Sequence, residues 1–253
     1  IANEVKGLQA RAANVFYLAY RRFLDLKKAE AQAREARIEA TLERIRSRTM
    51  AMHRSDELSE VASLLFQQIG ELGIKVWTAG FNVWLNNDNA YQDWITSPKG
   101  GFIEPYIVDT TQFPVFIEVR EAKQRGDDFF VQYVGGEMIK AMYGELSKFA
   151  PQQFEIMLQD GFEFPNHQYD HFVFGSTVSL MFITFEPLPE AHDIFKRFGK
   201  VFEQTYTRFL DLQKAEAQAR DAQIEAALER VRARALAMHT SEELKEVALV
   251  LRE

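Results

Sequence analysis

The sequence predicts an α+β protein: an antiparallel sheet with helices on its faces, flanked by long N- and C-terminal coiled-coil helices. Three observations carry that expectation. Residues 22–65 return, without a gap, as residues 208–251, with 31 of the 44 positions identical. The repeated segment is rich in the strong helix formers Ala, Glu, Gln, Arg and Leu, and neither Gly nor Pro occurs from Leu8 to Gln68. Between the two copies the periodicity switches to the alternation of β-branched and aromatic residues that marks strands.

The displacement of 186 residues between the copies is too long for a solenoid unit and matches a domain plus its linker. The chain therefore divides into a connecting helix over 1–54 that ends a preceding repeat, a domain over 55–190, a second connecting helix over 191–239, and the start of a further repeat over 240–253. The first residue, Ile1, and the unfinished helical pattern from Val247 to Glu253 are what a piece of a longer chain would show.

Within the repeated segment Leu24, Ala31, Ile38, Ile45 and Met52 fall seven apart, and Leu42 and Thr49 fill the intermediate positions. The second copy places Ile224, Leu228, Val231, Ala235 and Met238 in the same phase. Steps of four and three are the pattern of a coiled-coil seam. Lys28 and Glu35 interrupt it, so the seam is weak upstream and strong from Ile38 to Met52. Two arrangements satisfy it: a helix lying on its own domain, or two chains pairing in a parallel homodimer. A helix from Leu8 to Met52 reaches about 65 Å at 1.5 Å per residue, more than covering one domain requires, which favours the homodimer. A break is expected at Met52-His53, with fresh helix starts at Ser55-Asp56-Glu57-Leu58 and Ser241-Glu242-Glu243-Leu244. The first of these helices should stop near Gly70 or Gly73.

The domain then reads in order. A strand runs from Val76 to Leu85, a turn follows at Asn86-Asn87-Asp88-Asn89, and Tyr91 to Ile95 forms the partner strand. Ser97 to Gly101 is a loop, and Ile103 to Val108 is a third strand. Pro114 opens a helix that ends at Gly126. Phe129 to Val134 is a short strand. Gly136 to Phe149 and Gln152 to Gln159 are helices separated by Pro151. His167 to Phe174 and Thr177 to Phe185 form a last hairpin, and Pro187 and Pro189 precede the long outgoing helix. Strands at both ends with helices between them suggest an antiparallel sheet, with the incoming and outgoing helices packed together on one side.

This order of elements resembles a GAF-type sensor domain with coiled-coil helices at either end. The segment AEAQAREARIEATLERIRSRTMAMHRSDEL, beginning at Ala29, is similar to linkers in multi-domain sensor histidine kinases of Bacteroidetes-type bacteria. The resemblance implies a cytoplasmic signal-transduction module of a two-component system. A ligand-dependent change of shape would pass along parallel dimeric helices to an output domain in the same chain. It also implies a ligand pocket between the sheet and the 109–157 region.

Composition narrows the chemistry. A net charge of −7 gives no basic face for nucleic acid. The absence of cysteine removes disulfides, thiolate metal sites and cysteine nucleophiles. No apolar run approaches a membrane span, and the start of the chain is not a signal peptide. His167 and His171, four apart on one strand, lie about 13 Å from each other, too far for one metal ion, so no metal site is expected. His53 and His239 lack the acidic neighbour of a phosphoacceptor. Gly135-Gly136 has no Lys-Ser/Thr partner, so it is not a phosphate loop. No catalytic constellation emerges, the chain is read as non-catalytic, and no cofactor is identified. The remaining candidates are aromatic: Trp77, Trp84, Trp94, Tyr106, Phe130, Tyr133, Tyr169 and Phe172. They read either as core packing or as the lining of a small-molecule pocket. The two corresponding functions are a sensory relay and a ligand-free structural or dimerisation repeat.

Overall fold

The computed structural model describes residues 2–85, 87–96, 102–159 and 163–240. Asn86, the Ser97–Gly101 loop and the helix start at Ser241 lie outside the described residues, as does nearly all of the 240–253 repeat. Helix α1 spans Ala2–Met50, and a 3-10 turn at Ser55–Glu57 leads into α2, Leu58–Glu71. Strands β1 (Thr78–Leu85), β2 (Ala90–Ile95) and β3 (Tyr106–Asp109) follow. Helix α3 (Pro114–Gln124), strand β4 (Phe129–Gly135) and helices α4 (Glu137–Phe149) and α5 (Pro151–Gln159) come next. Strands β5 (His167–Phe174) and β6 (Val178–Thr184) precede α6, His192–Leu236.

The six strands form one antiparallel sheet in the order β3-β2-β1-β6-β5-β4. Because successive residues of a strand point to opposite faces, the sheet separates two cores. One face carries Phe81, Val173, Leu180 and Phe182 against α1, α2 and α6. The other carries Trp84, Tyr91, Tyr106, Phe172 and Met181 against α3, α4 and α5. The chain is thus an α+β protein with helices on both faces of an antiparallel sheet.

The junction after α1 is capped differently from the expectation. The Glu57 carboxylate accepts the backbone N–H groups of both His53 and Arg54, 3.0 Å from each. Ser55 instead donates its N–H and hydroxyl to Glu216 on α6.

Helices α1 and α6 run side by side and parallel over part of their lengths. The contacts advance together along both chains. Arg197 Nη2 meets Glu35 and Glu39, Thr49 and Thr205 join through their hydroxyls at 2.7 Å, and Arg208 donates to the carbonyl of Met52. For Ile38, Leu42, Ile45 and Met52 this placement corrects the seam expected of an intermolecular coiled coil. Ile38, Leu42, Ile45 and Met52 are buried inside the chain itself, among residues of α2, α6 and the sheet. They belong to the module's own core because the segment is amphipathic in the phase that faces the sheet. Leu24, Ala31, Ile224 and Leu228 remain exposed, and Val231 and Met238 are half-buried.

Helix α6 approaches β5 closely at Gly199, where an added Cβ would stand 2.3 Å from Val173 Cγ1 and 2.9 Å from its Cβ. Alanine gains up to about 1 kcal/mol over glycine in helix propensity, but a β-branched neighbour cannot swing away, and overpacking costs about 1–3 kcal/mol. Gly199→Ala is therefore expected to lower the urea midpoint, and Val173→Ala added to it should restore part of the loss.

Candidate functional site

A cavity of about 70 Å³ lies between the sheet and helices α3, α4 and α5. That volume is several times the roughly 10–15 Å³ one water requires. The sheet contributes a polar floor in which every group arrives by strand parity. Tyr91, Asp93 and Ile95 alternate along β2, and Gln168, Asp170 and Phe172 alternate along β5. Tyr106, Gln132, Met181 and Ile183 complete the floor. The roof is apolar and helical, with Val115, Phe116 and Val119 from α3, Met142 and Leu146 from α4, and Phe154 from α5.

Two carboxyls are buried in this floor. Asp93 accepts from Asn82 Nδ2 at 2.9 Å and from the Tyr106 hydroxyl at 3.0 Å. Asp170 accepts from Gln168 Nε2 at 2.6 Å, and Gln168 Oε1 in turn accepts from the Tyr143 hydroxyl at 2.6 Å. Burial pushes both acids up to about 7, against the hydrogen bonds that favour their charged forms. The charge on Asp93 raises Asp170 further. Gln132 adds a third acceptor. Its amide nitrogen donates to Val115 O and Glu118 Oε2, while its Oε1 is buried with no hydrogen-bond partner. Buried acceptors without donors cost free energy. The floor is thus rich in acceptors and matches a molecule that brings hydrogen-bond donors.

The aromatic candidates divide by face. Trp77, Tyr106 and Phe172 line the cavity. Trp84 and Phe130 lie in the same core but outside the cavity, and the Trp84 indole N–H donates to Ser179 Oγ at 2.7 Å. Trp94, Tyr133 and Tyr169 do not belong to the site. Trp94 has the opposite parity to Asp93 and stacks on Phe81, with ring centroids 5.4 Å apart, on the α1/α2/α6 side. Tyr133 is exposed and packs on Tyr169, its register partner across β4 and β5. Aromatic type does not distinguish the two faces of the sheet, whereas strand parity places Asp93, Asp170, Gln132 and Gln168 at the cavity. A signal was available: an acid occupies the middle of each apolar strand, in AYQDWI and HQYDHFVF.

Neither His167 nor His171 lines the cavity. His171 is buried on the helix-packed face with Nε2 2.9 Å from Thr184 Oγ1, and burial pushes it down to about 4. His167 sits at the rim, where Nε2 lies 3.1 Å from Phe185 O.

No protein-family model matches the chain, and no curated protein matches it. Among solved structures, the GAF domain from an Acinetobacter phosphoenolpyruvate-protein phosphotransferase is similar, at 13% identity, over 66% of this chain and 93% of that one, with a TM-score of 0.37. Among the described residues, no helix is long and apolar enough to cross a membrane.

Proposed function

We propose that the chain is a sensory module of the GAF type, whose cavity binds a small, largely apolar molecule that presents hydrogen-bond donors. The observation that carries this reading is the unpartnered Gln132 Oε1 beside the two buried carboxyls. Asp93 and Asp170 already accept from protein donors, so Gln132 Oε1 is the acceptor left for a ligand to satisfy. Signal transfer follows from the architecture. Asp170 and Phe172 face the cavity while His171 and Val173, their neighbours on β5, face α6. A ligand that displaces β5 therefore displaces the helix pair, and allosteric coupling needs only about 1–3 kcal/mol. The linker resemblance supplies the finer part of the reading: the helices feed a histidine kinase output, and the module itself is non-catalytic.

Benzylamine tests the reading, since it joins an aromatic ring to a cationic donor. It is expected to raise the melting temperature in proportion to ln(1 + [L]/Kd), and benzyl alcohol should do so less. Ile183→Trp, which fills the cavity, should abolish both shifts. Wild-type protein that ignores both compounds, together with an Ile183→Trp variant more stable than wild type, would instead favour the ligand-free scaffold.

A further inference from the structure

The two copies of the repeated helix have opposite fates in the structure, and the contrast defines a docking surface. The second half of α1 packs along the first half of α6, while Val15, Phe16, Leu18 and Tyr20 in the first half of α1 and Ile224 and Leu228 in the second half of α6 stay exposed. Shifted by 186 residues, the second half of α6 closely reproduces the packed half of α1, while the first half of α1 keeps selected residues of the packed half of α6: Arg11, Val15, Phe16 and Tyr20 for Arg197, Val201, Phe202 and Tyr206. Phe202 is 1% exposed and its counterpart Phe16 is 72% exposed. Ile38 is 4% exposed and its counterpart Ile224 is 50% exposed. Two complementary apolar stripes thus lie uncovered in one chain. Because α1 and α6 run parallel where they meet, the stripes leave the module at opposite ends.

We propose that the second half of α6 in one copy of this chain pairs, parallel and head to tail, with the first half of α1 in another copy, repeating the helix contact made inside the module. Three features of the sequence choose this occupant. The face that α6 turns to α1 is Arg197, Val201, Thr205 and Arg208, and its counterparts Arg11, Val15, Ala19 and Arg22 keep its character. Of the positions directed at the sheet, Phe195 and Phe198, both buried, become Gln9 and Ala12, while Phe202, which meets Phe81 of β1, keeps an aromatic ring in Phe16. The first half of α1 thus keeps the helix-facing positions and only part of the sheet-facing ones. The charges agree as well. Arg197 pairs with Glu35 and Glu39, and their counterparts are Arg11 opposite Asp221 and Glu225. Lastly, the buried hydroxyl pair Thr49–Thr205 is replaced on both sides at once, by Ala235 and Ala19. A single replacement would leave one buried hydroxyl facing a methyl group, and the double replacement leaves none. This inference does not depend on the cavity or its ligand. A contact of this kind does not close on itself, so copies add end to end. Matching Ala19 to Ala235 moves each copy along the shared axis by about 90 Å at 1.5 Å per residue.

The absence of cysteine among the native residues makes a direct test available. Ala19→Cys and Ala235→Cys proteins, mixed and mildly oxidised, are expected to give the mixed disulfide in excess over either homodisulfide. Sedimentation of the unmodified chain should give a mass that climbs past twice 29.2 kDa with concentration. Arg11→Glu is expected to lower the mixed-disulfide yield on the order of fivefold, and Asp221→Lys with Glu225→Lys on the partner should recover it. An Ala19→Cys homodisulfide as the main product, a dimer that stops growing, or no disulfide at millimolar protein would each overturn the proposal. The first two would point to parallel pairing of like helices.

Discussion

Phe195→Ala is expected to remove about 3–5 kcal/mol of stability, the usual cost of deleting a buried phenyl ring from a core. Phe195 is fully buried at the centre of the α6–sheet contact. Its ring stacks on Phe182 of β6 with centroids 4.3 Å apart, and it meets the His171 ring at 5.3 Å. Phe182 in turn is edge-on to Phe66 of α2, so one ring joins the outgoing helix, the sheet and the short helix. A loss of that size is a large part of the 5–15 kcal/mol that holds most domains together, and the truncated protein should unfold at a far lower urea concentration. The repeat supplies a control inside the same molecule. Gln9 occupies the equivalent position on α1 and is exposed, so Gln9→Ala should shift stability by no more than about 0.5 kcal/mol. Equal effects at the two positions would mean that α6 is not seated on the sheet as described.

That pair of positions also shows how far the sequence could be read. The repeat, both long helices and all six strands were legible because the helical pattern runs unbroken over tens of residues, the strands alternate with a period of two, and many of the ends are marked by Gly, Pro and Asx residues. Strand bounds shifted by a few residues, as at β3, which begins at Tyr106 rather than Ile103. The order of the strands was not legible, since antiparallel neighbours in this sheet include β1 and β6, which are separated by most of the domain. The partner of the heptad was not legible either. A stripe of Ile38, Leu42, Ile45 and Met52 satisfies a second chain and a sheet equally well. Only the position of the sheet relative to the helix decides between them, and that depends on contacts remote in sequence. The site is less legible because aromatic residues occur on both faces of the sheet, while the groups that give this cavity its character are polar residues on strands. Read by parity, Asp93 and Asp170 fall among the inward-facing residues of strands with few charges, and a buried carboxylate is costly unless it is paired, hydrogen-bonded or protonated.

That cost should be visible as a fall in stability between pH 5 and 8. Asp93 and Asp170 ionise near pH 4 when the chain is unfolded, whereas burial pushes both up to about 7 in the fold. Between those values the folded protein holds more protons than the unfolded one, so stability declines as pH rises. The stabilising contribution is complete below pH 4 and is lost as pH passes through 7. One carboxyl shifted this far changes stability by about 1.4 kcal/mol per pH unit across the window, or about 2–3 kcal/mol from pH 5 to 7. The two acids act on each other, so the fall belongs to the pair and spreads over more than one step. Asp170→Asn retains an acceptor for Gln168 Nε2 and removes the charge. Its stability should be close to wild type at pH 5, exceed it at pH 8, and vary with pH over a shallower slope. Urea titrations at half-unit intervals measure this, and parallel curves for the two proteins would rule the buried charge out as the cause. A cationic donor should reverse the trend. Under the proposed function benzylamine is expected to bind the ionised pair, so its affinity for the wild type should rise as pH passes through 7, and the rise should be smaller in Asp170→Asn. The same carboxyls would then make the cavity unstable alone at high pH and receptive to a donor there, which is the behaviour of a site held ready for a ligand rather than one packed for rigidity.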